Sequence, residues 1–417
     1  MLPVDADLSQ IPRVVFPVIG NKWIVGALFL AHILFGSFSM GAVLIAPAAE
    51  AIGRWRRDTR LERYAHGVAI TNLKVFSLGA TLGAFAVFLL SGLYPNLLVS
   101  LGVLFFRPLL IAFTSWFVTI ALLLLYAYKW KEVIAVAGRG VHLAIGFSAA
   151  LMEQLFLFLI VGVDSFMLTP NQAQGFAAVF NPSFWPELAH RFTGNVSWAS
   201  LLIAAVMIAY WATHRDPEDR AYYAWATRVS LVVGFLLLVP QAIGGFAFAE
   251  SIKHAEPAAF AASFRGPAAW LWLVQEALLG IVLVGVNLYL SRSRDPARGL
   301  SRVLTVAVVA LAAGMVLPAS AYPTGTFWLR YVWLGLALLL SVVHWLLVGP
   351  LRRARPRADL GGVGRWAVAV TGVTAVVLFL LMGVIRETAR DPYAVYGKMT
   401  QTQAQGLFQP PNGRFYP

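Results

Sequence analysis

The chain has 417 residues, of which 59% are hydrophobic and only 12% are charged, and its formal net charge is +13. A soluble domain carries about 25% charged residues, so this composition and a mean hydropathy of +0.73 place the protein in a lipid bilayer. In a membrane protein an excess of basic residues is typical of cytoplasmic loops, so the net charge gives no support to nucleic-acid binding. The absence of cysteine excludes disulfides, Fe–S clusters and covalently attached haem within the chain, and leaves His, Met, Glu, Asp or Tyr as metal ligands.

Apolar segments follow one another along the chain, each long enough to cross a hydrocarbon core about 30 Å thick, which needs about 20 helical residues. In chain order they cover approximately residues 23–50, 67–93, 99–128, 140–166, 192–213, 224–248, 267–291, 302–321, 326–349 and 366–386. The sequence therefore predicts an all-α fold, a polytopic membrane helix bundle of about ten transmembrane helices. We expect residues 1–400 to form this single bundle and residues 401–417 to form a polar tail.

The loops between these segments alternate in charge. One set is rich in arginine and lysine: 54–63, 129–139, 215–220, 292–302 and 352–357. The other set is nearly uncharged or mixed: 94–100, 168–189, 248–266 and 321–326. The positive-inside rule places the basic set in the cytoplasm and both termini on the outer, periplasmic side of a prokaryotic plasma membrane. Residues 1–22 lack a basic n-region and a small-residue cleavage site, so we expect no removable signal peptide.

Ionisable side chains inside apolar segments need a reason, because one charge at the bilayer centre costs roughly 3 kcal/mol or more. The first is His32, in the first segment. The others within segments or at their ends are Lys74, His142, Glu153, His190, Glu276, His344, Arg386, Glu387 and Arg390. Each is either satisfied by a neighbouring hydroxyl, amide or buried water, or it ligates a metal or relays protons. Composition alone leaves both explanations open.

Haem iron suits these histidines, because one ring nitrogen donates a lone pair while a second-shell acceptor holds the other N–H. Several glycines accompany them and would let a flat macrocycle approach the backbone: Gly36, Gly41, Gly79, Gly83 and Gly194. Close packing of helices through small residues explains Gly79 and Gly83 equally well.

Several motifs in order resemble subunit I of the cytochrome bd-type quinol oxidases. In the first segment, His32 is followed by Leu34-Phe35, Gly41 and Glu50 at that family's spacing. The other similar segments are Asp164 to Pro170, Asn181-Pro182 with Ala189-His190, Tyr322 to Arg330 with Gly335, and Glu387-Thr-Ala-Arg390-Asp-Pro392-Tyr393. The resemblance covers about residues 20–260 and 322–400.

This resemblance implies specific roles. His32 and Glu387 would be axial ligands at two high-spin haem positions, and His190 would ligate the low-spin haem. Arg330 and Arg390 would pair with haem propionates, which suit a bidentate guanidinium. The implied cofactors are one to three haems b, with haem d as an alternative at one position, and optionally a quinone. The implied partners are a second membrane subunit and an outer-face redox protein such as a c-type cytochrome.

The chain also departs from the family pattern. The family's methionine ligand falls on Val332, its two helix-3 glutamates for proton delivery fall on Ala112 and Ile120, and its quinol-loop lysine falls on Ala259. Residues 267–321 resemble an inserted hairpin. Either Met315 or Glu276 replaces the missing ligand, or that haem is five-coordinate or absent. Glu153 could replace the proton groups, so Glu387 and Glu153 are the candidates for a catalytic role.

Three hypotheses follow. The chain is a haem-binding electron-transfer subunit that has lost the usual proton and quinol-loop residues, or a divergent quinol oxidase that reduces oxygen, or a haem-poor anchor or scaffold subunit of a larger complex. Whether it is an enzyme stays open at the level of the sequence.

Overall fold

Long helices make up nearly all of this computed structural model, which describes residues 16–292, 298–318, 321–323, 328–348 and 361–406. In chain order the helices are α1 (Asn21–Arg56), α2 (Thr59–Leu93), α3 (Pro95–Leu104), α4 (Phe106–Leu123, continued by a π-helical turn at Leu124–Tyr128), α5 (Trp130–Leu168), α6 (Phe176–Val179), α7 (Phe184–Thr213), α8 (Pro217–Ala255), α9 (Pro257–Arg265), α10 (Trp270–Ser291), α11 (Arg298–Met315), α12 (Leu329–Val348), α13 (Gly361–Arg390) and α14 (Gln401–Ala404). Two short antiparallel strands, β1 (Tyr393–Val395) and β2 (Met399–Thr400), follow α13. The prediction of an all-α membrane bundle is confirmed.

Within the described ranges, nine helices are long and apolar enough to cross a membrane: α1, α2, α4 with its π-helical turn, α5, α7, α8, α10, α12 and α13. The other predicted crossing, 302–321, coincides with α11, which has 18 residues and is therefore only about 27 Å long. Most of the nine helices extend beyond their apolar segments, because polar residues continue the helix into the loops.

The turn between α1 and α2 sets how these two helices pair. Arg57 closes α1 in the left-handed region at φ 55°, and the next residue, Asp58, caps α2 by accepting a hydrogen bond from the Arg60 backbone N–H at 3.0 Å. A two-residue connection forces an antiparallel hairpin, and it sets Phe35 against Gly79, where a Cβ would lie 3.1 Å from the Phe35 Cβ.

Helices α1, α7 and α13 meet around Trp198. Its ring makes an edge contact with Phe38 of α1 at 5.9 Å between centroids and a tilted contact with Phe379 of α13 at 5.2 Å. Leu30 of α1 also contacts Gly383 of α13. The helices that carry the three predicted iron ligands are therefore neighbours in the core.

The short elements cover one end of the bundle, which we call the capped end. The basic loops at 54–63, 129–139 and 215–220 lie together at the other end, which we call the Arg-rich end. Asn96 at the start of α3 donates to the Gln403 carbonyl at 2.9 Å, and the Gln405 amide donates to the Tyr94 hydroxyl at 3.2 Å. The first residues of the predicted polar tail thus pack on α3, and the rest of that tail, 407–417, lies outside the described residues.

Candidate functional site

His32 is held in one orientation between α1 and α2. Its Nδ1–H donates to the Gly79 carbonyl at 2.9 Å, which leaves Nε2 with a free lone pair. The ring lies directly against Gly83, where a Cβ would come within 2.6 Å of Cε1 and 2.9 Å of Nδ1. A metal-ligating histidine typically has this arrangement, with the second ring nitrogen fixed by a carbonyl.

His190 has the same arrangement on α7. Its Nδ1–H donates to the Gln241 carbonyl of α8 at 3.0 Å, so Nε2 is again available. A Cβ at Gly245 would lie 3.1 Å from both Cε1 and Nδ1 of the ring, and Phe248 stacks on the ring with centroids 6.5 Å apart. Sequence reasoning identified His190 but missed the α8 glycines, whose Gly-Gly pair inside an apolar segment was a readable signal.

Glu387 and Arg390 form an ion pair near the end of α13, in which both carboxylate oxygens share one guanidinium nitrogen. Both Glu387 oxygens accept from Arg390 Nη2 at 2.7 Å, and Arg390 Nη1 donates to the Ala394 carbonyl at 2.7 Å. The Glu387 side chain remains 38% exposed, whereas that of Arg390 is 11% exposed. The structure therefore joins a predicted iron ligand to a predicted propionate partner.

Arg330 is buried at the start of α12. Its Nη1 donates to Glu276 Oε1 of α10 at 3.1 Å and its Nη2 to the Leu317 carbonyl at 3.3 Å. Met315, the other substitute ligand considered for Val332, is 1% exposed, whereas Val332 is 38% exposed. The two candidate substitutes, Glu276 and Met315, therefore lie inside the bundle, whereas Val332 faces outward.

A network of four charges near the capped end was missed by sequence reasoning. Asp164 of α5 accepts from Arg191 of α7 and from Arg386 of α13, and Arg191 Nε also donates to Glu187 at 2.9 Å. Arg386 approaches Glu187 at 3.8 Å. The network therefore connects α13 to α7 beside two predicted ligands, because Arg386 directly precedes Glu387 and Arg191 directly follows His190. The spacing of Glu187 and Arg191 at i and i+4 was the available signal.

A second polar cluster is buried at the Arg-rich end. His142 Nδ1 lies 2.9 Å from Glu50 Oε1, the Tyr126 hydroxyl donates to Glu50 Oε2 at 2.8 Å, and Arg54 pairs with the same carboxylate. These contacts satisfy His142 without a metal, which is the simpler of the two explanations that the sequence left open for it.

Glu153 lies on α5, facing α1, and is 2% exposed. None of the ion pairs in the described part of the chain includes it. Apart from masked positions, no group of three or more His, Asp or Glu side chains is arranged to hold a bare metal ion.

The segment that resembles a quinol loop lies beside the end of α13. Ala259 of α9 is completely buried against Leu168 and Ala389. Glu256 precedes α9, and burial raises the pKa of its carboxyl above the ordinary value while Lys398 opposes the shift. A lysine side chain at position 259 would have no room in this packing.

Comparison with known proteins identifies the family and the fold. A family model described as cytochrome bd terminal oxidase subunit I matches residues 21–412. The fold is similar to that of the bd oxidase from Geobacillus thermodenitrificans, with a TM-score of 0.55 and 16% sequence identity, over 88% of this chain and 94% of that one. No curated protein matches the sequence.

Proposed function

Because this chain belongs to the cytochrome bd terminal oxidase subunit I family, we propose that it is a membrane haem-b electron-transfer subunit. It would pass electrons between a quinone pool, or a cytochrome partner at the outer face, and haems buried in the bundle. The observation that carries the proposal is the common state of His32 and His190, which both fix Nδ1 on a carbonyl of the facing helix and keep Nε2 free. Bound haem would supply a one-electron redox centre.

The residues present fit haem at three positions. Glycines already stand where the backbone approaches each imidazole, since a Cβ at Gly83 would collide with His32 and one at Gly245 would press on His190. Glu387 offers a carboxylate on the helix that contacts α1 beside His32. We assign His32 and Glu387 to the high-spin positions and His190 to the low-spin position.

The arginines position negative groups. Arg390 is fixed by the Ala394 carbonyl and the Met167 sulfur, at 2.7 and 3.2 Å, so its guanidinium is oriented before any ligand arrives. Arg330 is held by the Glu276 carboxylate at 3.1 Å and by the Leu317 carbonyl at 3.3 Å. A preoriented guanidinium binds a carboxylate with little further loss of side-chain entropy, which supports the assignment of both arginines to propionates.

The surroundings of three substituted positions are consistent with the loss of the usual oxidase residues. Ala112 is completely buried in α4, Ala259 is completely buried in α9, and Val332 faces outward from α12. We propose that quinol handling and the helix-3 proton groups are replaced, with a quinone as an optional ligand near α9, and that the α10–α11 hairpin is an insertion.

The charge pattern supports an orientation. We place the Arg-rich end in the cytoplasm and the capped end, with both termini, on the periplasmic side of a prokaryotic plasma membrane. A second membrane subunit would cover part of the exposed apolar surface. A redox partner would dock at the capped end, nearest to His190 and Glu387.

A reduced-minus-oxidised spectrum of the purified chain tests the proposal. We expect a Soret band, and His32→Ala and His190→Ala should each remove a different spectral component. His254→Ala, in a side chain that is 81% exposed, is the matched control and should leave the spectrum unchanged. A chain purified without any Soret band would favour the scaffold hypothesis instead, and oxygen consumption with a quinol that is lost in Glu387→Ala would favour the oxidase.

A further inference from the structure

Three polar side chains are buried without hydrogen-bond partners between α1, α2 and α5. Ser39 and Asn72 are each 1% exposed, and Glu153 is 2% exposed. Among the described residues, Ser39 Oγ, both amide atoms of Asn72 and Glu153 Oε2 make no hydrogen bond. Four unpaired polar atoms in the apolar part of a membrane bundle need an explanation.

The three residues belong to one region of the core. The Ser39 hydroxyl is near enough to the Glu153 carboxyl to interact with it across the interface of α1 with α5. One packing cluster joins Val43 of α1, Phe76 of α2, and Ala149 and Ala150 of α5. Ser39, Asn72 and Glu153 are each three or four residues, one helical turn, from a member of that cluster. The unpaired atoms therefore share one region of the core.

An unpaired polar group in an apolar interior destabilises the folded protein. Buried water removes this penalty, because it makes about three hydrogen bonds to groups that would otherwise be unsatisfied. Asn72 offers both a donor and an acceptor, Ser39 offers a hydroxyl, and Glu153 offers an oxygen. This set of groups is sufficient for one or more waters.

The charge state of Glu153 follows from its surroundings. None of the ion pairs in the described part of the chain includes this carboxyl, and an unpaired ion at this depth would be much less stable than the neutral acid. We propose that Ser39, Asn72 and Glu153 enclose an internal water site between α1, α2 and α5, in which the neutral Glu153 carboxyl holds an exchangeable proton.

The site lies between the Arg-rich end and His32. Ser39 is seven residues after His32, and Glu50 is eleven after Ser39, so the three lie on one face of α1 at axial separations of about 10 and 16 Å. Glu50 belongs to the buried cluster with His142 and Tyr126. This role rests on the proposed function. The Glu153 proton would compensate the charge of an electron added near His32, and another proton would then reach Glu153 from the Arg-rich end.

Infrared spectroscopy of the purified chain in H2O and D2O tests the exchangeable proton. The wild type should show a protonated carboxyl band that shifts in D2O, Glu153→Asp should move it, and Glu153→Gln should remove it. Glu132→Gln is the control and should leave the band unchanged, because Glu132 is 59% exposed and pairs with Lys129 at 3.4 Å. A spectrum without such a band, or one that Glu153→Gln leaves unchanged, overturns the proposal.

Thermal unfolding of Asn72→Leu tests the water. If water pairs the amide, leucine removes those hydrogen bonds and lowers Tm; if the region is dry, leucine removes an unpaired polar group and raises Tm. A raised Tm overturns the proposal. Neither measurement needs haem, so a chain without a Soret band would refute the proposed function and leave the water site standing.

Discussion

Gly83 lies so close to His32 that a single added carbon would displace the ring, at 2.6 Å from Cε1. The imidazole is confined between this glycine and the Gly79 carbonyl one turn earlier on the same helix. A Cβ at Gly146 would come equally close to the Tyr126 ring, at 2.5 Å, where no ligand is predicted. The contact therefore explains the fixed orientation of the His32 ring and is compatible with both explanations of the Gly79 and Gly83 pair.

We expect Gly83→Ala to tilt or expel the His32 ring, because real Cβ atoms essentially never approach within 3.0 Å of another heavy atom. Most of the spectral component assigned to His32 should be lost, and the His190 component should remain. Gly67→Ala is the matched control on the same helix, since a Cβ there meets nothing within 4 Å. Equal haem content in both variants would contradict the assignment of His32.

Sequence reasoning could identify His32 and His190, because the cost of an imidazole in an apolar segment and the family motifs both point to them. It could not find the partner of each ring. The contact of His32 with Gly79 and Gly83 depends on the register of the α1–α2 hairpin, which the Arg57–Asp58 turn sets. Hydropathy identifies a helix but does not identify its neighbours or their relative depth.

The four-charge network shows the same limit more strongly. Asp164 and Arg386 are 222 residues apart in the chain and meet only because α5 and α13 approach each other at the capped end. By contrast, Glu387 and Arg390 are one helical turn apart, so their pairing could have been predicted from spacing alone. Local pairs are readable from sequence, and pairs across the bundle are not.

Glu387→Gln should remove the charge of a predicted high-spin ligand while it keeps the side-chain volume. We expect loss of the high-spin component with folding retained, because Arg390 stays hydrogen-bonded to the Ala394 carbonyl. Arg390→Lys keeps the charge but removes the fixed fork, so it should weaken haem retention less than Glu387→Gln. Unchanged high-spin absorption in Glu387→Gln would show that another residue ligates that position.

Asp58 offers a pH-dependent test of the α1–α2 hairpin. Side-chain hydrogen bonds from Arg60 hold the pKa of this carboxyl below its ordinary value. A depressed folded-state pKa means that the contribution to stability is present above the unfolded pKa of about 3.9 and is lost as pH falls through the folded value. Asp58→Ala should destabilise the protein by about 0.5–2 kcal/mol at neutral pH through loss of the cap.

Asp58→Asn should lose less, because asparagine also caps helices. Its difference from the wild type should shrink as the pH falls from the unfolded pKa of about 3.9 through the lower pKa of the folded-state carboxyl. Thermal unfolding of the three proteins at neutral and acidic pH measures both effects. A difference between the wild type and Asp58→Asn that grows on acidification would contradict the assigned sign.

Asp164→Asn should have the largest effect on stability. Asp164 and Arg386 are 19% and 17% exposed. Without the Asp164 charge, Glu187 is the remaining carboxylate of the network for both arginines, and Arg386 keeps its hydrogen bond to the Asp164 backbone carbonyl. Breaking a buried pair costs about 3–5 kcal/mol, and the partial exposure of this pair favours the lower end of that range.

The control is Asp219→Asn. Asp219 is 33% exposed, and its partner Arg63, at 2.7 Å, is 48% exposed. An exposed pair contributes at most about 1 kcal/mol. If Asp164→Asn shifted Tm no more than Asp219→Asn, the network would not anchor α13. If Tm fell as expected, the Glu387 spectral component should shift with it, because Arg386 precedes that ligand directly in the helix.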